Sequence, residues 1–234
     1  MSLLIRSWNV HHGMTVPHGR RNHLEQAVRL ILSDHPDVVC LQELPLWGRR
    51  HLERWSEMRL VWNSTRQIWF PPRFGGWITR LNQGFLRSAV SGQANAILLD
   101  PRLQPLEQRW TVISRGWRER RTCQGVRLKG MVIANLHASG VAGHPEIGAA
   151  EALRALAFAE SLAQPGDVLV LAGDFNLGPR HLPKLPGFSA CGPGIDHILV
   201  RGAEAGHLDI WPEAHRTIES GVLSDHAPIE LRIG

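Results

Sequence analysis

The sequence predicts an α/β fold, and three observations carry that expectation. An apolar strand over Leu3 to Val10, an amphipathic helix and a second apolar strand over Asp37 to Leu41 follow one another within about forty residues, the span of a crossover unit. A longer helix, from about Pro145 to Ala163, runs into a further apolar strand, Leu169-Val170-Leu171-Ala172. Finally, apolar runs repeatedly end in polar chemistry without a linker between. No low-complexity stretch or linker divides the chain, so residues 1–234 read as one domain.

Each element has its own local reason. Leu3-Leu4-Ile5-Arg6-Ser7-Trp8-Asn9-Val10 reads as a strand that gives way to the turn-prone His11-His12-Gly13. On an extended backbone the two histidines would face opposite ways and could not share one ion. Asn22 and Glu25 stand at capping-box spacing. Leu24, Ala27, Val28, Ile31 and Leu32 form one apolar stripe, which Pro36 ends. The second strand stops at Gln42-Glu43. Signals weaken from Trp47 to Gly92, apart from a candidate strand over Met58 to Trp62.

Within residues 63–92, Trp69, Phe70, Phe74, Trp77 and Phe85 alternate with Arg66, Arg73, Arg80 and Arg87. That mixture suits stacking on bases with phosphate neutralisation. It equally suits a lipid surface or a loop that packs its own aromatics. Ala94 to Leu99 and Leu106 to Ile113 read as neighbouring strands. A hairpin turn at Lys129-Gly130 joins Val126-Arg127-Leu128 to Met131 through Ala134. Pro145 suits the first turn of its helix. The last strands are Ile195 to Val200 and Ile229 to Ile233.

Composition narrows the function classes. Hydrophobic content of 43% with 20% charged residues describes a folded chain, not a disordered one. No run reaches the roughly 18 apolar residues of a membrane-spanning helix, so stable membrane insertion is not expected. The first residues show no signal-peptide pattern, and the three scattered cysteines argue against a disulfide framework. Together these point to the cytoplasm. No Cys or His partner stands at zinc-site spacing. A formal charge of +5 favours polyanionic partners such as DNA, RNA, phosphorylated metabolites or anionic lipid. Nothing implies an obligate protein partner.

The strand ends supply the chemistry. Gly173 allows an unusual turn that would present Asp174 and Asn176, although the same residues also build ordinary turns. Asn9 is either a metal or phosphate ligand through its amide oxygen or a structural turn residue. Glu43 is a rim charge or a metal ligand. Asn135 and His137, two apart, share one strand face. Asp196 opens a strand, and Asp225 and His226 precede the last one. Carboxylates with amides and no thiols suit magnesium or manganese, and the two histidines supply acid–base groups. On a basic protein, such a site suggests phosphate-ester hydrolysis.

Six motifs occur in order: Trp8-Asn9-Val10, Gln42-Glu43, Asn135-Leu136-His137, Gly173-Asp174-Phe175-Asn176, Ile195-Asp196-His197 and Ser224-Asp225-His226-Ala227-Pro228. In this the chain resembles the endonuclease/exonuclease/phosphatase superfamily of deoxyribonuclease I and exonuclease III-type enzymes. The resemblance implies a four-layer α/β sandwich, two mixed sheets face to face with helices outside. It further implies a metal site of Glu43, Asn9 and Asp225. Asp174 would orient or deprotonate the attacking water, and Asn176 would hold water or a phosphate oxygen. His226, oriented by Asp196, would contact the phosphate, and His137 would bind phosphate or act as general acid. Asn135 would join Asn176 and His226 in binding substrate.

The chain has no Tyr, unlike the apurinic endonucleases, and carries His11 where their motif continues to an Asp. It is more similar to the broad phosphodiesterase and phosphatase members. The implied activity is a metal-dependent phosphodiesterase or nuclease. A phosphatase or phosphodiesterase on lipid head groups or small metabolites is the second reading. The third is a catalytically silent nucleic-acid-binding module on the same scaffold.

Overall fold

The apolar runs become strands, and their register gathers the polar ends at one edge of the molecule. The computed structural model describes residues 2–19, 21–64, 92–115 and 120–234. In chain order these hold β1 (Leu3–Asn9), β2 (Thr15–Val16), α1 (Leu24–Ile31), β3 (Val38–Leu44), α2 (Arg49–Ser56), β4 (Arg59–Ser64) and β5 (Ala94–Leu99). There follow β6 (Glu107–Val112), β7 (Thr122–Leu128), β8 (Met131–His137), α3 (Pro145–Leu162) and β9 (Val168–Asp174). The chain closes with β10 (Asp196–Arg201), β11 (Ala205–Ile210), β12 (Thr217–Ile218), β13 (Gly221–Leu223) and β14 (Ile229–Ile233).

Two mixed sheets stack face to face. One runs β11-β14-β1-β3-β5-β4 and the other β10-β9-β8-β7-β6, with a small third sheet, β12-β13-β2. Ile5, Cys40, Ile97, Val126, Ile133, Val170 and Ile198 fill the space between the large sheets. Leu24, Val28 and Ile31 of α1 and Leu52 of α2 pack on the outer face of the first sheet. Ala155, Phe158 and Leu162 of α3 cover the second. This is the four-layer α/β sandwich, driven by burial of two-faced apolar strands.

Three points differ from the sequence reading, and a fourth falls on residues the structure does not describe. β5 and β6 are not neighbours: β5 is flanked by β3 and β4, which leaves it no free edge, and β6 pairs with β7 at the rim of the other sheet. The capping box does not form, because Asn22 Oδ1 accepts the Leu24 amide at 2.9 Å while Glu25 pairs with Arg29 one turn on. Helix α2 was not expected, since Leu52 is its one buried residue and leaves no apolar stripe to read. The Arg–aromatic segment lies, over residues 65–91, outside the described residues.

Candidate active site

Register builds the centre of the site. Strands β8 and β9 run parallel and β10 pairs antiparallel to β9, so His137, Asp174 and Asp196 stand in one row across three strands. That row requires Gly173, whose φ is +138° and whose added Cβ would lie 2.0 Å from the Leu136 carbonyl oxygen. Only glycine tolerates such an approach. In the facing sheet, β1 and β3 run parallel, and their pairing ends at Asn9 and Gln42.

Hydrogen bonds then close the two sheets onto one another. Asn9 Nδ2 donates to Asp174 Oδ2 at 3.0 Å. Trp8 Nε1 donates to the His226 carbonyl at 2.9 Å and Ser224 Oγ to the Asn9 carbonyl at 2.6 Å. The Trp-Asn and Ser-Asp-His motifs are therefore stitched together directly. Nine non-glycine residues have positive φ among the described residues. Five of them, His11, His12, Glu43, Asn176 and Ser224, belong to this site. Strain concentrated in this way marks a place where side-chain direction overrides backbone preference.

One half of the site is a hydrogen-bonded acid–base set. His226 Nδ1 lies 2.8 Å from Asp196 Oδ2, and its Nε2 is 3.8 Å from Asp174 Oδ2. Burial alone would lower the His226 pKa. The bond to Asp196 and the charges of Asp196, Asp174 and Asp225 outweigh it and lift the imidazole to about 9. Asp174 moves up to about 7, through burial and then the Asp196 charge, against the pull of His226, Asn9 and the Asn176 amide. A carboxylate near neutrality beside a protonated imidazole is an acid–base pair.

His137 is held differently. It is buried, and Arg121 Nη1 lies 2.9 and 3.0 Å from its two ring nitrogens. Burial, then the positive charge of Arg121, pushes its pKa well below 6.5. A neutral imidazole is a weaker proton donor than an imidazolium and is suited to accept a hydrogen bond or to ligate.

The other half surrounds Glu43. The left-handed backbone at 11 and 12 reverses the expectation that the two rings point apart. His11 Nδ1 and His12 Nε2 stand 3.8 and 3.6 Å from Glu43 Oε2, and His137 Nε2 stands 3.8 Å from Oε1. His11 Nδ1 also lies 3.2 Å from Asp225 Oδ1, linking the two expected carboxylate ligands. The Asn9 amide oxygen faces inward, where it accepts the His11 amide at 3.0 Å. Burial raises the Glu43 pKa, opposed by His11 and Arg121.

The donor set of carboxylates and imidazoles fits a divalent cation. Among the described residues, Asp174, Asp196 and His226 form a group whose ligand atoms all lie within 4.8 Å. The 2.8 Å bond to Asp196 fixes the His226 ring through Nδ1. Glu43, Asp225 and the Asn9 amide oxygen are the other oxygen donors of the cleft.

Two expected residues take other places. Asn135 does not reach the cleft. It is fully buried, donating to the Leu41 and Ala96 carbonyls at 3.0 and 2.9 Å and accepting from Gln42 Nε2 at 2.8 Å. It ties the sheets together below the site instead of meeting substrate. Asn176 Nδ2 donates to the Ala138 carbonyl at 2.9 Å, pinning the loop after β8. Arg121, His11 and His12 are the residues the sequence did not assign. For Arg121 the one available signal is its position just before a strand that pairs with the His137 strand.

Residues 7–226 match the endonuclease/exonuclease/phosphatase family, and the chain belongs to it. This membership places the chain among phosphoesterases.

Solved structures of the same fold include TDP2 from Caenorhabditis elegans, with a TM-score of 0.72 and 15% identity over 100% of this chain and 74% of that one. A functionally unknown conserved protein from Enterococcus faecalis has a TM-score of 0.73 and 14% identity over 99% of each chain. A mannosyl-6-phosphatase from Bacteroides thetaiotaomicron has a TM-score of 0.69 and 16% identity, again over 99% of each. No curated protein sequence matches the chain.

Proposed function

We propose that the chain is a divalent-metal-dependent phosphodiesterase, with nucleic acid as its substrate class. The observation that carries this reading is the Asp174–His226–Asp196 set, in which a base near pKa 7 and an acid near pKa 9 face one cleft. Glu43 and Asp225, with Asn9 and His11 beside them, would hold magnesium or manganese. Such an ion polarises a phosphoryl oxygen and neutralises developing charge.

The residues divide the chemistry between them. Asp174, held by Asn9 and the Asn176 amide, takes the proton of the attacking water as its oxygen bonds to phosphorus. His226, fixed by Asp196, stabilises the phosphoryl charge and delivers its proton to the leaving oxygen as the P–O bond breaks. Neutral His137 orients water or a phosphate oxygen. The formal charge of +5 supports a polyanionic substrate. The three free cysteines, and the lack among described residues of a helix able to cross a membrane, support a cytoplasmic setting. Residues 1–234 would work as a single catalytic domain.

The test is hydrolysis of an aryl phosphodiester and the matching monoester, with magnesium, manganese or chelator, in wild type and Asp174→Asn. Diester cleavage abolished by both chelator and substitution is expected. Chelator-resistant cleavage, or a clear monoester preference, would overturn the reading.

A further inference from the structure

We infer that a single-stranded polynucleotide leaves the cleft along the β4/β6 edge of the sandwich, through a slot between α2, β4 and β6. This rests on the phosphodiesterase reading and names the form of its substrate. Strands β4 and β6 are edge strands of the two large sheets. Beside them lies a cavity of about 410 Å³ lined by Arg49, Arg50, Glu53, Leu60, Trp62 and Gln108.

Charge and aromatic surface coincide here. Arg49 and Arg50 are exposed, and among the described residues neither makes an ion pair, so Glu53 is the one acid set against two cations. Trp110 shares a face of β6 with Gln108 by the period-two rule and is 49% exposed. The Arg120 guanidinium lies 5.1 Å from its ring centre. An exposed indole under a guanidinium is a stacking platform for a base with a cation for the adjoining phosphate.

The platform is in reach of the chemistry. Trp110 pairs with Gln124, and Val112 with Thr122; β7 and β8 pair Cys123 with Leu136, which puts Thr122 level with His137. Trp110 therefore stands two strands across and two residues along from His137, about 12 Å away at ordinary sheet spacings. Arg121, against the His137 ring, and Arg120, over Trp110, are consecutive and join the cleft to the slot. A strand fits this track better than a duplex, because stacking on Trp110 needs an unpaired base face.

The test is fluorescence anisotropy of a labelled oligothymidylate, in chelator and across a salt series, with wild type, Arg49→Gln/Arg50→Gln and Trp110→Ala. Equal melting temperatures serve as the folding control. The double variant is expected to weaken binding at least tenfold at low salt. It should reduce the slope of log K against log salt by about 1.4, two phosphate contacts on a single strand. Trp110→Ala should weaken binding roughly fivefold or more.

Unchanged affinity in both variants, absence of wild-type binding at low salt, or tighter binding to a duplex or to phosphatidylserine vesicles would overturn the slot. The catalytic reading fails separately. Wild-type protein without diester turnover, yet with the expected binding losses, removes the chemistry and leaves the slot. Turnover of the aryl diester with oligonucleotide binding insensitive to both variants does the reverse.

Discussion

The two halves of the cleft are built from similar residues at different spacings. Around Asp174, the Asn9 and Asn176 amides hydrogen-bond the carboxylate at 3.0 and 2.9 Å, while His137 and His226 stand 3.5 and 3.8 Å away and His226 bonds Asp196 at 2.8 Å. Around Glu43, three imidazoles stop at 3.6 to 3.8 Å, too far for hydrogen bonds. On the proposed reading, the Asp174 side moves the proton and the Glu43 side holds the cation.

The largest expected effect breaks one half alone. Asp174→Asn and His226→Ala should each lower turnover by roughly 10² to 10⁴-fold while the protein keeps its circular dichroism spectrum. Near-wild-type rates in either would end the acid–base assignment. Next comes the joint between the halves. Gly173→Ala forces a Cβ to 2.0 Å from the Leu136 carbonyl at a φ of +138°. It should cost about 3 kcal/mol or more, read from denaturant unfolding, and a loss under 1 kcal/mol would show that the row can slide.

Asn135→Ala sharpens the contrast between scaffold and site. It leaves buried carbonyls at Leu41 and Ala96 without their side-chain donor, a cost of about 1–3 kcal/mol. A stability loss with an unchanged KM is expected; a raised KM with no stability loss would return Asn135 to substrate binding. The smallest effect is a shift in pH dependence. The base works ionised and the acid protonated, so turnover should rise through about pH 7 and fall through about pH 9. Asp196→Asn removes the main support of the His226 proton, so the alkaline limb should move down by about one unit or more. An unmoved limb would assign it to another group.

Legibility followed the same division. The row His137, Asp174, Asp196 was readable because each residue ends or opens an apolar run, and sheet register does the rest. Gly173 was readable as a turn glycine, though the sequence does not say which carbonyl it must pass. His11 and His12 were read as a turn, and their rings were expected to oppose one another only on an extended backbone. Their φ values of 46° and 55° belong to a turn that forms only against β3 and the last loop. Asn135 was drawn toward substrate by its neighbour His137. Its burial depends on Gln42 from the facing sheet, a contact 93 residues away in sequence. Strand β6 was found but put in the wrong sheet, because an edge strand carries no mark of which sheet it closes.

The central claim is that cation and proton are handled by different halves. Calorimetric titration of magnesium and manganese into wild type, Glu43→Gln and Asp174→Asn tests it most directly. The account predicts that Glu43→Gln loses at least about tenfold in affinity while Asp174→Asn binds within a few-fold of wild type. The reverse order, with Asp174→Asn losing the metal and Glu43→Gln keeping it, would contradict the account and move the cation to the Asp174–Asp196 side.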